Sequence, residues 1–225
     1  YIPAWNTSKM DPVTGFVNLF DTHYTNVENA QKFFEKFEDI KFNEDKNYFE
    51  FVVKDYTKFN SRSEDTRQNW VICTNKERIK TFRNKEKNNQ WDYQEIKLTE
   101  QFILLFEKNN IDYKTNLKNQ IINCKEKDFF EELLFLFKLT LQMRNSITGT
   151  EIDYLISPVA DKTGNFFDSR KNINNLPNNA DANGAYNIAR KGLWVIEQIK
   201  QADNLKKINL AITNKQWLQF VQKSN

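Results

Sequence analysis

The sequence predicts a mixed α+β fold, and two kinds of apolar periodicity support this prediction. Helical spacing of apolar residues recurs in three stretches, at 27–39, at 127–145 and from residue 181 onward. The alternation typical of strands recurs between them, at 40–53, 69–83 and 151–170. With 225 residues, the chain is long enough for one large domain or two small ones.

The first half of the chain is predicted to form a turn, a helix and several strands. Pro12 and Gly15 mark the turn. The first helix places four apolar residues on one face, namely Val27, Ala30, Phe34 and Phe37. A hairpin follows at 40–53, a polar loop at 57–67, and strands in NWVICT and ERIKTFR. The basic segment that contains Trp91 and Tyr93 is predicted to be a connector.

The second half is predicted to alternate helices with one strand pair. Thr99 is placed to cap a short helix that ends at Phe106, and a longer helix covers 127–145. Two strands with a turn at Asp161 to Gly164 follow, then a linker at 171–179. A helix from Asp181, a last strand and a helix ending near Val221 complete the chain.

Composition excludes some functions and leaves others open. The net charge of +3 is too small to indicate nucleic-acid binding by itself. A single histidine, His23, argues against His-rich metal sites and a His-based catalytic triad. Cys73 and Cys124 form no ligand pattern and are expected to be free thiols in a cytosolic protein. The chain opens on YIPAW without a starting Met, so we expect a piece of a larger polypeptide.

Asp181 is the first candidate functional residue, because small side chains surround it in NNADANGAYNIARKG. If Asp181 begins a helix, a stripe of small residues follows, namely Ala182, Ala185, Ala189 and Gly192. Such a stripe would let the helix lie close to a sheet or to another backbone and hold the carboxylate rigidly for metal binding. The simpler alternative is an Asp that only caps the helix.

A second candidate is the stretch KERIKTFRNKEKNNQWDY, which mixes basic residues with aromatic rings. Basic groups that neutralise phosphates and rings that stack on bases are typical of single-stranded DNA binding. Arg83 and Trp91 are the preferred pair for this role. Glu77 and Glu86 dilute the charge, so a hairpin face that is merely solvated is the alternative.

The motif DANGAYNIARKG closely resembles the third motif of the RuvC nuclease domain in type V-A CRISPR RNA-guided DNA endonucleases, the Cas-twelve-a (Cpf-one) family. TSKMDPVTGFVN, FRNKEKNNQWD, LQMRNSITGTEIDYLISPVADKTGNFFDSR and WLQFVQKSN are similar to the same family, in the same order. The resemblance covers essentially the whole chain. It implies a Nuc domain at 13–176, inserted between RuvC segments of RNase H-like fold at 1–12 and 177–225.

The resemblance also implies roles for single residues. Asp181 matches the family's catalytic, Mg²⁺-binding Asp, while its two other catalytic acids lie upstream of Tyr1, so we expect this chain alone to be inactive. Arg144, in LQMRNS, matches an arginine that supports cleavage of the target strand. Its alternative is a basic residue at a helix C-terminus. Ser146 and Asp153 are expected to contact the same strand or to orient Arg144. The alternative is an ordinary turn serine and a solvent-facing strand acid.

The resemblance further implies partners and a location. The partners are a guide CRISPR RNA, target DNA, single-stranded DNA near the Nuc domain, and the missing N-terminal part of the polypeptide. The expected location is the bacterial cytoplasm, without a membrane. One alternative function is a catalytically silent module that binds single-stranded nucleic acid. A transposon-type RNase H-like nuclease is a weaker alternative, because its four-cysteine zinc ribbon has no counterpart here.

Overall fold

A computed structural model describes residues 2, 4–5, 7–59, 69–171, 175–204 and 209–223. The predicted α+β class is confirmed, since six α-helices and three small antiparallel sheets are found in these residues. Two compact units divide the chain. The central unit comprises 19–61 and 67–142, and the terminal unit comprises 1–18 and 143–225.

The central unit begins with one helix and a small sheet. Helix α1 spans Val27–Glu35, and the sheet joins strands β1 (Asp39–Asn43), β2 (Tyr48–Val53) and β3 (Trp70–Cys73) in that order. The predicted hairpin is confirmed, since Ile40 pairs with Phe51 and Phe42 with Phe49. Asn47 closes its turn in the left-handed region, with φ of 54°. The predicted polar loop falls largely on 60–68, outside the described residues.

A two-stranded ribbon and three helices complete the central unit. Strands β4 (Glu77–Asn84) and β5 (Gln90–Lys97) form the ribbon, and helices α2 (Leu98–Lys108), α3 (Leu117–Asn123) and α4 (Lys127–Thr140) follow. The connector predicted around Trp91 and Tyr93 was therefore wrong, because these residues lie in β5. The predicted cap at Thr99 was also wrong: its hydroxyl donates to the carbonyl of Thr74 at 2.7 Å, and Lys97 precedes α2 without a side-chain cap.

Buried phenylalanines form the core of the central unit. Phe137 of α4 lies within 6.1 Å, centroid to centroid, of five other rings, those of Phe20, Phe33, Phe34, Phe37 and Phe51. Its side chain is fully buried. Burial of one such side chain contributes about 1.5–3 kcal/mol. This unit is therefore held together mainly by apolar packing.

The terminal unit contains a second three-stranded sheet and two helices. Strands β6 (Arg144–Ser146), β7 (Asp153–Ala160) and β8 (Phe166–Asp168) pair antiparallel in that order, and helices α5 (Ala180–Gln201) and α6 (Asn214–Lys223) follow. The predicted strand pair and its turn are confirmed, with Gly164 at φ of 85°. The predicted last strand is absent from residues 209–213, and 205–208 are not described. Among the described residues, no helix could span a membrane.

Candidate active site

Asp181 lies in the first turn of α5 and does not cap it. The N-cap is Asn179, whose side-chain oxygen accepts a hydrogen bond from the backbone N–H of Ala182 at 2.8 Å. The interpretation of Asp181 as a plain N-cap was therefore wrong. Its side chain is 85% exposed. A carboxylate in the first turn is favoured by the positive end of the helix dipole, and here it remains accessible to a ligand.

Buried amide side chains fix α5 to the segment near the N-terminus. Asn183 donates to the carbonyl of Met10 at 2.9 Å, and Asn187 donates to the carbonyl of Thr7 at 2.9 Å. Both asparagines are fully buried. Hydrogen bonds of this kind are directional, so they determine the rotation of the helix as well as its position. They thereby fix the point from which Asp181 projects.

Two buried basic residues of α5 extend this polar face. Arg190 donates to the carbonyls of Pro12 and Val221 at 3.3 and 3.4 Å. Lys191 donates to the carbonyl of Trp5 at 3.1 Å, and burial lowers its pKa to about 8. The buried face of α5 is consequently polar, which is an uncommon way to pack a helix.

The stripe of small residues does not form this packed face. Ala185 and Ala189 are exposed, whereas the buried positions are those of the asparagines and basic residues. The expectation that the stripe packs α5 against a sheet stays a prediction. Two close approaches occur along α5: an added Cβ would lie 3.6 Å from Cβ of Ser8 at Gly184, and 3.6 Å from Cδ1 of Ile2 at Gly192, which belongs to the stripe.

Arg144 begins β6 and does not end a helix. Helix α4 stops at Thr140, so the interpretation of Arg144 as a helix C-terminal residue was wrong. Its neighbours are anchored, since Asn145 is fully buried and donates to the carbonyl of Met143 at 3.1 Å. That same carbonyl accepts from the N–H of Ile156 at 3.0 Å. The Arg144 side chain, in contrast, is 39% exposed.

The structure brings Arg144 and Asp181 together although 37 positions separate them. Nη2 of Arg144 lies 3.4 Å from Oδ1 of Asp181. An exposed pair of this kind contributes roughly 0–1 kcal/mol to stability. A phosphate or a cation can therefore replace either partner at small cost. In general, a guanidinium is able to bind a phosphate, and a carboxylate is able to bind a metal ion.

Ser146 and Asp153 face each other across the β6–β7 ladder. Ser146 is exposed and lies two residues beyond Arg144, on the same face of β6. One oxygen of Asp153, Oδ1, is buried without a hydrogen-bond partner among the described residues. Asp153 is thus not the fully solvated acid that one interpretation expected. The expectation that both residues contact DNA stays a prediction.

Arg83 and Trp91 belong to the central unit, where the β4–β5 ribbon pairs them directly. The guanidinium carbon of Arg83 lies 4.2 Å from the centroid of the Trp91 ring. The structure therefore brings this predicted pair into contact with each other.

The side chains around Asp181 could supply only part of the coordination shell of a magnesium ion. No group of three or more His, Cys, Asp or Glu side chains with metal-binding geometry occurs among the described residues. Mg²⁺ takes oxygen ligands and is commonly bound by one or two carboxylates together with water and substrate phosphates. Asp181 fits this chemistry as one exposed carboxylate oxygen donor.

Asp11 is another acid of the terminal unit, but its carboxylate is not accessible to a metal ion or a substrate. Its carboxylate accepts from the N–H of Val13 at 2.8 Å and from the hydroxyl of Thr14 at 2.7 Å. The residue is fully buried, and this burial raises the pKa of its carboxyl group. The sequence predicted a turn at this position, but it did not indicate that Asp11 is buried.

Three asparagines that cap or anchor α5 were missed by the sequence analysis, and each had a detectable pattern. Asn179 precedes a helical stretch, which is a common N-cap signature. Asn183 and Asn187 are four positions apart, so they share one helix face. Two asparagines at this spacing could equally lie on an exposed helix face, so only the structure shows that they are buried.

The chain has an α+β fold in which a guanidinium lies beside an exposed carboxylate, two groups that are compatible with binding a phosphate and a cation. A comparison with protein families gives the class of the protein. The model of a nuclease domain, NUC, matches residues 10–171, and the chain belongs to this nuclease-domain family. The matched segment includes Arg83, Trp91 and Arg144, while Asp181 lies beyond it.

Proposed function

We propose that this chain is the Nuc domain and last RuvC segment of a Mg²⁺-dependent, RNA-guided DNA endonuclease of the Cas-twelve-a type. The observation that carries the proposal is the contact between Asp181 and Arg144 in a chain of the nuclease-domain family. The resemblance of DANGAYNIARKG and LQMRNS to that type of enzyme selected these two residues independently of their proximity.

Asp181 is the residue of this chain that would hold the metal ion. When bound, Mg²⁺ lowers the pKa of a water molecule and neutralises charge that develops on the phosphate. The exposed position of Asp181 leaves its carboxylate accessible to such an ion, and Asn183 and Asn187 keep α5 from rotating. Further acids are required for a complete site, and we place them in the N-terminal part of the polypeptide.

Arg144 positions the DNA strand. Its guanidinium has a rigid fork of donors that matches two oxygens of a phosphate, and it carries a charge at any physiological pH. The distance of 3.4 Å from Asp181 would place the gripped phosphate beside the metal ligand. Arg144 thus orients the scissile phosphate and stabilises its negative charge, without transferring a proton.

The proposed partners are a guide RNA, target DNA and the N-terminal part of the same polypeptide, in the bacterial cytoplasm. Exposed apolar side chains on α5 support the proposed contact with the N-terminal part of the polypeptide. Leu193, Ile196 and Ile199 are 56%, 48% and 41% exposed. Apolar residues grouped on one helix are a common feature of a covered interface. The isolated chain would consequently be inactive, because its metal site is incomplete.

The test is cleavage of target and single-stranded DNA by the complete polypeptide loaded with guide RNA. Asp181→Asn should lower Mg²⁺-dependent cleavage by roughly 10²–10³-fold, because a metal ion contributes several kcal/mol to the transition state. DNA binding should be retained. Asp203→Asn is the matched control, since Asp203 is an exposed acid just beyond the other end of α5. Binding without cleavage in the wild type would instead indicate a silent binding module.

A further inference from the structure

The β4–β5 ribbon is exposed over most of its length. Its two strands pair through eight residues each, from Glu77 opposite Lys97 to Asn84 opposite Gln90. Within β5, Ile96 is the buried position, while most of the others are exposed. A ribbon of two strands is marginally stable on its own, so the buried Arg78, Ile79 and Ile96 must anchor its base.

Two large aromatic rings occupy one face of this ribbon. Trp91 is 65% exposed and Tyr93 is 45% exposed. They are two positions apart on β5, so they lie on the same face with a spacing of about 6.8 Å along the strand. That spacing is close to twice the thickness of an aromatic ring, which allows a nucleobase to enter between or beside them.

Arg83 holds the Trp91 ring in place. It is the direct cross-strand partner of Trp91, and its guanidinium stacks at 4.2 Å from the ring centroid. Nη1 of Arg83 also donates to the carbonyl of Asn89 in the turn, at 3.0 Å. The guanidinium covers one face of the indole, and an exposure of 65% leaves room for a base on the other. The platform is thus ordered before a ligand arrives.

Charge at the tip of the ribbon favours a polyanion. Lys87 lies 2.9 Å from Asp92, and this pairing, with a hydrogen bond from Asn84, lowers the pKa of Asp92 to about 2. Asp92 therefore stays ionised, and Lys87 balances its charge within the ribbon. Arg83, which stacks on Trp91, and the exposed Lys85 remain as cations, against the exposed Glu86 and Glu95.

The combination of rings and cations identifies the ligand class. The rings could pack against an apolar protein surface, but such a surface would offer no negative charge to the cations. A DNA duplex would be matched by the cations, but its bases are already stacked and cannot use the rings. Single-stranded nucleic acid uses both, because each nucleotide offers a phosphate and an accessible ring face.

We propose that the β4–β5 ribbon is a stacking platform for single-stranded DNA, with Trp91 and Tyr93 stacking on bases and Arg83 and Lys85 contacting phosphates. This inference rests on the proposed function for the identity of the nucleic acid, since the substrate of that function is DNA. It goes beyond that function because the platform binds DNA at a place that needs neither a metal ion nor Asp181.

The first experiment measures binding of the 225-residue chain to fluorescein-labelled dT20 and to a duplex of equal length by anisotropy. Trp91→Ala should weaken dT20 binding by roughly 5- to 150-fold, since one stacked base contributes about 1–3 kcal/mol. Duplex binding should be nearly unchanged. Leu104→Ala is the matched control, because Leu104 is an exposed apolar residue of the same unit, at 57%. Circular dichroism of each variant verifies folding.

Trp91→Phe should restore most of the dT20 affinity, because it keeps a ring at that position. An equal loss for dT20 and duplex in Trp91→Ala would overturn the platform, as would unchanged binding of dT20. Binding of dT20 should persist in EDTA, because the platform needs no metal ion, so a failure of the proposed Mg²⁺-dependent cleavage is distinguishable from a failure of this platform.

A second measurement uses the unsubstituted chain and so does not depend on the folding of a variant. Photocrosslinking with a bromodeoxyuridine-substituted single strand should attach the DNA to Trp91 or Tyr93, as located by mass spectrometry. Crosslinks confined to residues outside β4 and β5 would contradict the proposal.

Discussion

The two units differ in how they are stabilised. Phenylalanine rings fill the core of the central unit, where Phe137 contacts five others. In the terminal unit, helix α5 is fixed through buried asparagine, arginine and lysine side chains that bind backbone carbonyls. Apolar packing stabilises a unit without fixing the orientation of its elements, whereas hydrogen bonds fix orientation and add little net free energy. In the terminal unit, such bonds fix the orientation of the helix that carries Asp181.

The largest expected effect is in the aromatic core. Phe137→Ala should lower the free energy of unfolding by about 3–5 kcal/mol, because it leaves a cavity among the surrounding rings. Denaturant unfolding followed by circular dichroism measures this change. Phe135→Ala is the control on the same helix, since Phe135 is 37% exposed and should lose less than half as much. Equal losses for both variants would contradict the described core.

The next effect concerns function and not stability. Arg144→Ala in the complete guided polypeptide should lower cleavage of the target strand by roughly 10- to 150-fold, as expected for a lost charged hydrogen bond worth about 1.5–3 kcal/mol. The thermal unfolding midpoint should hardly change, because the ion pair with Asp181 is exposed. Lys200→Ala, at an exposed cation of the same unit, is the control. A loss of stability in proportion to activity would give Arg144 a structural role instead.

A smaller loss is expected where amides fix α5. Asn187→Leu should lower the free energy of unfolding by about 1–3 kcal/mol, because the carbonyl of Thr7 loses its donor at 2.9 Å. Cleavage should fall as well, since Asp181 projects from the same helix. Ala185→Ser, at an exposed position, is the control. Unchanged stability in Asn187→Leu would show that the polar face does not hold the helix.

The smallest effect, taken per pH unit, is a dependence of stability on pH. Burial lowers the pKa of Lys191 from 10.5 to about 8. Between these values the unfolded chain binds more protons, so stability should rise with pH across this window, by at most about 1.4 kcal/mol per pH unit. Below pH 8 both states are protonated and the effect is constant. Lys191→Met should flatten the rise, as measured by unfolding at pH 7.5–10.5, and an equal slope in both proteins would contradict it.

The parts of the fold that follow from local periodicity could be predicted. Helix α1 and the β1–β2 hairpin have apolar spacing that matches their buried faces, and turn residues mark the connection between β7 and β8. Strand β5 was missed because its outward residues are aromatic and charged, so no apolar alternation marks it. Helix α4 was predicted to reach residue 145 because apolar residues continue through Leu141 and Met143. The helix ends at Thr140, where Arg78 donates hydrogen bonds to the carbonyls of Thr140 and Gln142.

The candidate site could be predicted only as separate residues. Asp181 and Arg144 were each selected by resemblance, and no spacing in the sequence indicates that they meet. Their contact depends on the position of β6 relative to the first turn of α5, which is a tertiary property. The stripe of small residues drew attention to one face of α5, whereas the buried amides lie on another side of this helix, and no sequence pattern indicated their burial.

The central claim is that Asp181 is a metal ligand beside a phosphate-binding arginine. The most direct measurement is Mn²⁺ binding, by electron paramagnetic resonance, to the complete polypeptide with guide and target DNA bound. Mn²⁺ has ligand preferences close to those of Mg²⁺, so Asp181→Asn should weaken binding of the ion, while Asp203→Asn should not. Equal Mn²⁺ affinity in the wild type and Asp181→Asn would contradict the account.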